Sequence, residues 1–136
     1  MQTRSIATCL GVLTACFAIS SPVVAEDNCS GHDIYVGGVH VITESDPSLP
    51  SHLAIGRCAS TGKTSLECTY KDKDGDYWTV VIEWRGDGTE GTFYKISGTG
   101  KWENVMRSGW WKLGRNEGDV RIDPWGGNCT WPGAGK

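Results

Sequence analysis

The sequence predicts an all-β protein: an antiparallel up-and-down barrel of about eight short strands, stabilised by disulfides. Three observations lead there. Short segments rich in β-branched and aromatic residues recur between turns rich in Gly and Asp. Within several of them apolar and polar residues alternate. No window after the first 25 residues offers a helix of three turns. Period-two alternation marks strands with one buried face, and regularly spaced strands without helices form barrels or sandwiches.

In chain order, residues 1–25 (MQTRSIATCLGVLTACFAISSPVVA) read as a secretory signal peptide. Arg4 supplies the positive start, Ile6 to Ile19 the apolar stretch, and Val23-Val24-Ala25 the small residues of a cleavage site. The stretch is too short and wrongly flanked for a membrane span. Leu13-Thr14-Ala15-Cys16 also fits a bacterial lipoprotein box, so a lipid anchor at Cys16 is the alternative. Residues 26–136 are then a single barrel domain, expected to be secreted or periplasmic.

The strand candidates are Ile34 to Ile42, His52 to Ala59, Ser65 to Lys71, Tyr77 to Arg85, Thr92 to Ser97, Ser108 to Leu113 and Asp119 to Asp123. In Trp78 to Trp84 the even positions form one apolar face. In Asp119-Val120-Arg121-Ile122-Asp123 charged and apolar residues swap strictly.

Cys9 and Cys16 leave with the signal; Cys29, Cys58, Cys68 and Cys129 remain. Four cysteines in an exported chain read as two disulfides. With Gly62-Lys63-Thr64 as a tight loop centred on Lys63, Cys58 faces Cys68 across a hairpin, within bonding reach. Cys29 and Cys129 then pair by elimination and tie the chain ends together. A zinc site would want a close C-x-x-C or a His pair, and neither is present. His32, His40 and His52 are scattered and read as plain surface or strand residues. No metal and no cofactor are expected.

Net charge is −3. Without a basic stripe a nucleic-acid partner is not expected, nor a membrane surface without a polybasic or amphipathic helix. Asp72-Lys73-Asp74-Gly75-Asp76 begins like a calcium loop, with Glu83 at the twelfth position. Its sixth position is Tyr77 where glycine is required, and a strand follows instead of a helix. It reads as a hairpin turn. Arg85-Gly86-Asp87 likewise reads as a turn, not an adhesion motif.

Gly56-Arg57-Cys58, Cys68-Thr69-Tyr70, the Asp72 to Asp76 turn, Gly98-Thr99-Gly100-Lys101-Trp102 and Ser108-Gly109 together resemble small exported bacterial proteins with an allene oxide cyclase-like or dirigent-like barrel, of calycin type. The resemblance covers about half of the mature chain, from Ala54 to Trp111. It implies that Gly98 to Trp102 forms a strand-to-strand corner. The sequence departs from the pattern at Glu103-Asn104, and no active-site residue of the plant cyclases carries over.

No nucleophile elbow, phosphate loop or HExxH motif is present, so catalytic residues are unassigned and the balance leans against an enzyme. Seven tryptophans are the richest feature, mostly read as packing. Trp110 and Trp111 are adjacent, so in a strand they face opposite ways. Parity with Leu113 makes Trp111 the inward one and Trp110 the outward one. Trp110, Trp78 and Trp84 are the candidate ligand contacts. The expected function is binding of a small apolar or amphipathic ligand. The alternatives are a cyclase- or isomerase-type enzyme that shapes a reactive substrate, and an interaction module without a small ligand. The volume and lining of the barrel interior discriminate among them.

Overall fold

The computed structural model describes residues 27–133, so the signal-peptide reading and the Cys16 alternative lie outside the described residues. Among the described residues nine strands form one antiparallel sheet: β1 (Cys29–Val36), β2 (Val39–Glu44), β3 (Ala54–Gly62), β4 (Ser65–Lys71), β5 (Tyr77–Trp84), β6 (Glu90–Gly98), β7 (Arg107–Lys112), β8 (Arg115–Glu117) and β9 (Val120–Cys129). Each of β1 to β7 pairs with its sequence neighbour, β7 pairs β9, and β9 pairs back onto β1. Eight strands thus close an up-and-down barrel, and β8 is an extra strand. Closure removes the free edges that a sheet would otherwise present.

The extra strand has a local cause. β7 pairs residues 125–129 of β9, and β8 pairs residues 120–122 on the same side. Pro124, which has no N–H to give, falls in the gap between the two pairings. There the Gly114 N–H donates to the Asp123 carboxylate at 2.9 Å instead.

Two sequence expectations need correction. Ile34 to Ile42 is not one strand. Gly37 and Gly38 have φ of 60° and 82°, the positive values that a two-residue hairpin turn requires at both positions, and they split the segment into β1 and β2. The last strand does not stop at Asp123 but runs on to Cys129 through Pro124 and two glycines, residues that hide a strand from a propensity reading.

Both expected disulfides are present. Cys58 and Cys68 are direct cross-strand partners with Cα atoms 4.0 Å apart, and Cys29 joins Cys129 at 5.9 Å. The hairpin reaches its register by a different route from the one expected. Gly62 pairs Ser65, which centres the turn between Lys63 and Thr64, and a bulge at Thr61 restores the pairing that brings Cys58 opposite Cys68.

One end of the barrel is plugged. After β6 a single 3-10 turn, Gly100–Trp102, drives the fully buried Trp102 against Trp78, with ring centroids 4.3 Å apart. The Gly98 to Trp102 segment is thus a corner between strands, as the resemblance implies. Asp72 anchors it. Its carboxylate accepts from the Asp74 and Asp76 backbone N–H groups, the Trp102 indole and Lys101. The Asp72 to Asp76 stretch is therefore a hairpin turn stitched to the plug, with Glu83 at the far end of β5. Likewise Asp87 accepts from the Thr89 N–H and hydroxyl within its own turn.

Burial pushes the Asp72 carboxyl up, but the donors from Trp102, Lys101 and Asp74, together with the Lys101 charge, outweigh it and hold it below its ordinary value. A depressed carboxylate contributes stability that is present above the unfolded-state value of about 3.9 and is lost as pH falls through the lower folded value. Tm should therefore drop below about pH 4. Asp72→Asn should lower Tm at neutral pH and flatten that acid limb, read by circular dichroism. An unchanged limb would remove Asp72 as its source.

Candidate functional site

Above the plug the barrel is hollow. A cavity of about 230 Å³ runs between the walls and reaches solvent near Trp84, Gly88 and Leu113, the last of which is 46% exposed. Eight strands leave an interior that side chains just fill or that holds one small ligand; the second case applies here.

The lining is of two kinds. Toward the mouth it is apolar. Trp84 and Trp111 meet edge to face with centroids 6.4 Å apart, and Leu66, Ile82 and Phe93 continue the wall. On the β1–β2 side it is polar. The Asp33 carboxylate holds Nδ1 of His40 at 2.9 Å and accepts the Tyr70 hydroxyl at 3.2 Å. All three residues face the cavity.

Strand geometry explains how Tyr70 gets there. Its backbone partner on β3 is Gly56, whose partner on β2 is His40. The Tyr70 ring lies flat over Gly56, so close that a Cβ at that position would sit 2.3 Å from Cδ1. Glycine at 56 thus opens the path by which a tyrosine on β4 reaches an aspartate on β1. Burial above all, then the charge and hydrogen bond of Asp33, hold the Tyr70 hydroxyl well above its ordinary value. It stays protonated and donates. An ionised carboxylate only accepts, so a neutral His40 facing it carries its proton on Nδ1 and its lone pair on Nε2.

Two further charged pairs complete the interior. Arg121 donates to Asp123 at 2.8 Å and lies over the Tyr35 ring, which also packs against His40. At the plugged end Arg107 donates to Glu44 at 2.8 Å, and Glu44 also accepts from the buried Ser51 hydroxyl. The Arg107 guanidinium sits 5.2–5.9 Å from the ring centres of Trp78, Trp102, Trp125 and Trp131. Burial lowers its pKa from the ordinary value, opposed by the Glu44 charge and hydrogen bond. Among the described residues its Nη1 has no hydrogen-bond partner, and the guanidinium as a whole lies against the four indole rings.

Of the predicted contacts, Trp78 lines the deep part of the cavity and Trp84 its mouth. Trp110 lies on the outer face. Its ring covers Gly126, its indole donates to Asp27 at 2.7 Å, and it borders an open outer groove with Glu83, Glu90 and Lys112. The parity argument holds, since Trp111 is the inward member of the pair and lines the cavity. Both rings are only partly buried.

His40 is a strand residue, as the sequence suggests, but its side chain is turned into the barrel and the residue is 8% exposed. His32 is exposed, and Nδ1 of His52 accepts the Glu44 N–H. Sequence reasoning also missed Asp33, Tyr70, Arg107, Arg121 and Asp123. Among the described residues no three His, Cys, Asp or Glu side chains converge on a metal-sized site. No family model, curated protein or solved structure matches the chain.

Proposed function

We propose that the protein is an exported barrel that binds one small amphipathic molecule in its interior. The observation that carries this reading is the mixed lining of the cavity, with aromatic walls at the mouth and the Asp33–His40–Tyr70 set on one side. Ligand sites of this kind combine apolar walls with a few placed polar groups. At about 230 Å³ the cavity falls below the range of about 300–1,000 Å³ typical of drug-sized ligands, so the occupant is about one or two rings in size. Its apolar body would rest against Trp84, Trp111 and Phe93, and its polar end would reach His40. The two disulfides support export to an oxidising compartment, and the closed up-and-down barrel supports kinship with the allene oxide cyclase-like or dirigent-like barrels.

Titration calorimetry with indole and 2-naphthol tests the reading. Binding with a negative heat-capacity change is expected, and it should be lost in Phe93→Trp, which fills the cavity. Binding that survives Phe93→Trp would place the ligand elsewhere.

A further inference from the structure

The polar set inside the barrel is arranged for more than holding a ligand. In β2 the inward positions are His40, Ile42 and Glu44, while Val39 and Val41 face out. In β9 Arg121 and Asp123 line the interior, while Val120 and Ile122 do not. Apolar residues outside and ionisable ones inside run against the hydrophobic rule, which β5 obeys with Trp78, Val80 and Ile82 on the cavity. Such local violations concentrate at functional sites. Binding an apolar ring does not require a carboxylate–imidazole pair. Taking a proton from that ligand requires a base, and an imidazole held by a carboxylate is suited to that role.

We infer that His40 is a general base toward carbon acids bound in the cavity, and that the barrel is a proton-transfer isomerase for small, largely apolar carbonyl compounds. The inference rests on the binding reading above and deepens it. Asp33 fixes the imidazole tautomer through Nδ1, which leaves the Nε2 lone pair for the substrate, and its negative charge stabilises the imidazolium that forms. In the reaction Nε2 takes a proton from the carbon next to the carbonyl. The C–H electron pair becomes the enolate double bond, and the carbonyl π pair moves onto oxygen. Where the bound carbonyl compound is β,γ-unsaturated the enolate is a dienolate; return of the proton to its γ carbon moves the C=C bond into conjugation, restores the carbonyl π bond and leaves His40 neutral. No oxidant or co-reactant is consumed. Arg121 lines the same cavity, paired with Asp123 at 2.8 Å. Tyr70 and Asp33 are positioning residues; Tyr70 shares the carboxylate and holds it against His40.

The test uses 5-nitrobenzisoxazole, a two-ring carbon acid small enough for the cavity. Removal of its C3 proton forms the nitrile as the N–O bond breaks onto oxygen, giving a coloured phenolate. The protein should accelerate this saturably, by about 10²–10⁴-fold over free imidazole at the same concentration. The phenolate product should bind, read by quenching of tryptophan fluorescence. His40→Gln should lower the rate to the level of the buffer while the phenolate product still binds. Asp33→Asn should lower kcat by about 100-fold or more at similar KM, since it releases the tautomer; a purely structural loss would raise KM and lower Tm together. The comparison of the unaltered protein with imidazole needs no variant to fold. Product binding without acceleration, or acceleration that survives His40→Gln in a folded variant, would overturn the base assignment and leave the binding reading standing. Neither binding nor acceleration would overturn both.

Discussion

Replacing Cys29 and Cys129 together by serine should cost far more stability than replacing Cys58 and Cys68. The two bonds sit in different topological places. Cys58–Cys68 closes a separation of 10 residues within one hairpin, whose strands are already held by their backbone ladder. Cys29–Cys129 closes a separation of 100 and joins the first strand to the last. In the chain-entropy account a 100-residue loop contributes about 4.7 kcal/mol and a 10-residue loop about 2.7. The seam is reinforced locally. The Asn28 side chain donates to the Cys129 carbonyl and accepts the Cys129 N–H, and the Asn28 N–H donates to the Gly127 carbonyl. Those bonds register the two ends but hold only short stretches. Urea unfolding of both double variants gives the difference directly. Equal losses would mean that the barrel seam is secured by the β1–β9 ladder and not by the covalent link.

The second large effect belongs to the buried ion pair. Arg107→Ala or Glu44→Gln should each destabilise by about 3–5 kcal/mol, because each leaves the other member without its partner in the interior. Arg107 is 3% and Glu44 4% exposed, so water cannot take over the lost contact. The two losses differ in kind. Without Arg107 the four indole rings lose the cation they surround, and Glu44 keeps only the Ser51 hydroxyl as a side-chain donor. In Glu44→Gln the guanidinium remains, stripped of its counter-charge. The double change Arg107→Met with Glu44→Leu should lose less than the sum of the single losses, since no uncompensated charge remains. Additive losses would show that the pair is not coupled.

Much of the fold was legible in the sequence because hairpins obey arithmetic. The separation of Cys58 and Cys68 gave their pairing, and the parity of Trp110, Trp111 and Leu113 gave the inward tryptophan. The turn at Asp72 to Asp76 was legible because a strand, not a helix, follows it. The polar interior was hidden for a physical reason. Alternation shows that a strand has two faces but not which one is inside. In Val39-His40-Val41-Ile42 the hydrophobic rule selects the valines, whereas the structure buries His40 and Ile42. In Val120-Arg121-Ile122-Asp123 the same rule selects the wrong pair. Tyr70 meets Asp33 across 37 residues of sequence, with Gly56 clearing the way between them. No local pattern encodes such a meeting. One clue was present: a glycine inside a strand often marks a close approach by something else.

The most direct test of an internal ligand site is a proton–nitrogen correlation spectrum of the uniformly labelled protein during addition of 2-naphthol. The indole N–H signals of Trp84 and Trp111 and the backbone signals of Gly88 and Leu113 should move together, with one dissociation constant, while the Trp110 indole stays in place. Movement of Trp110 with no change at Trp84, Trp111 or Phe93 would contradict the account and put recognition on the outer face of the barrel.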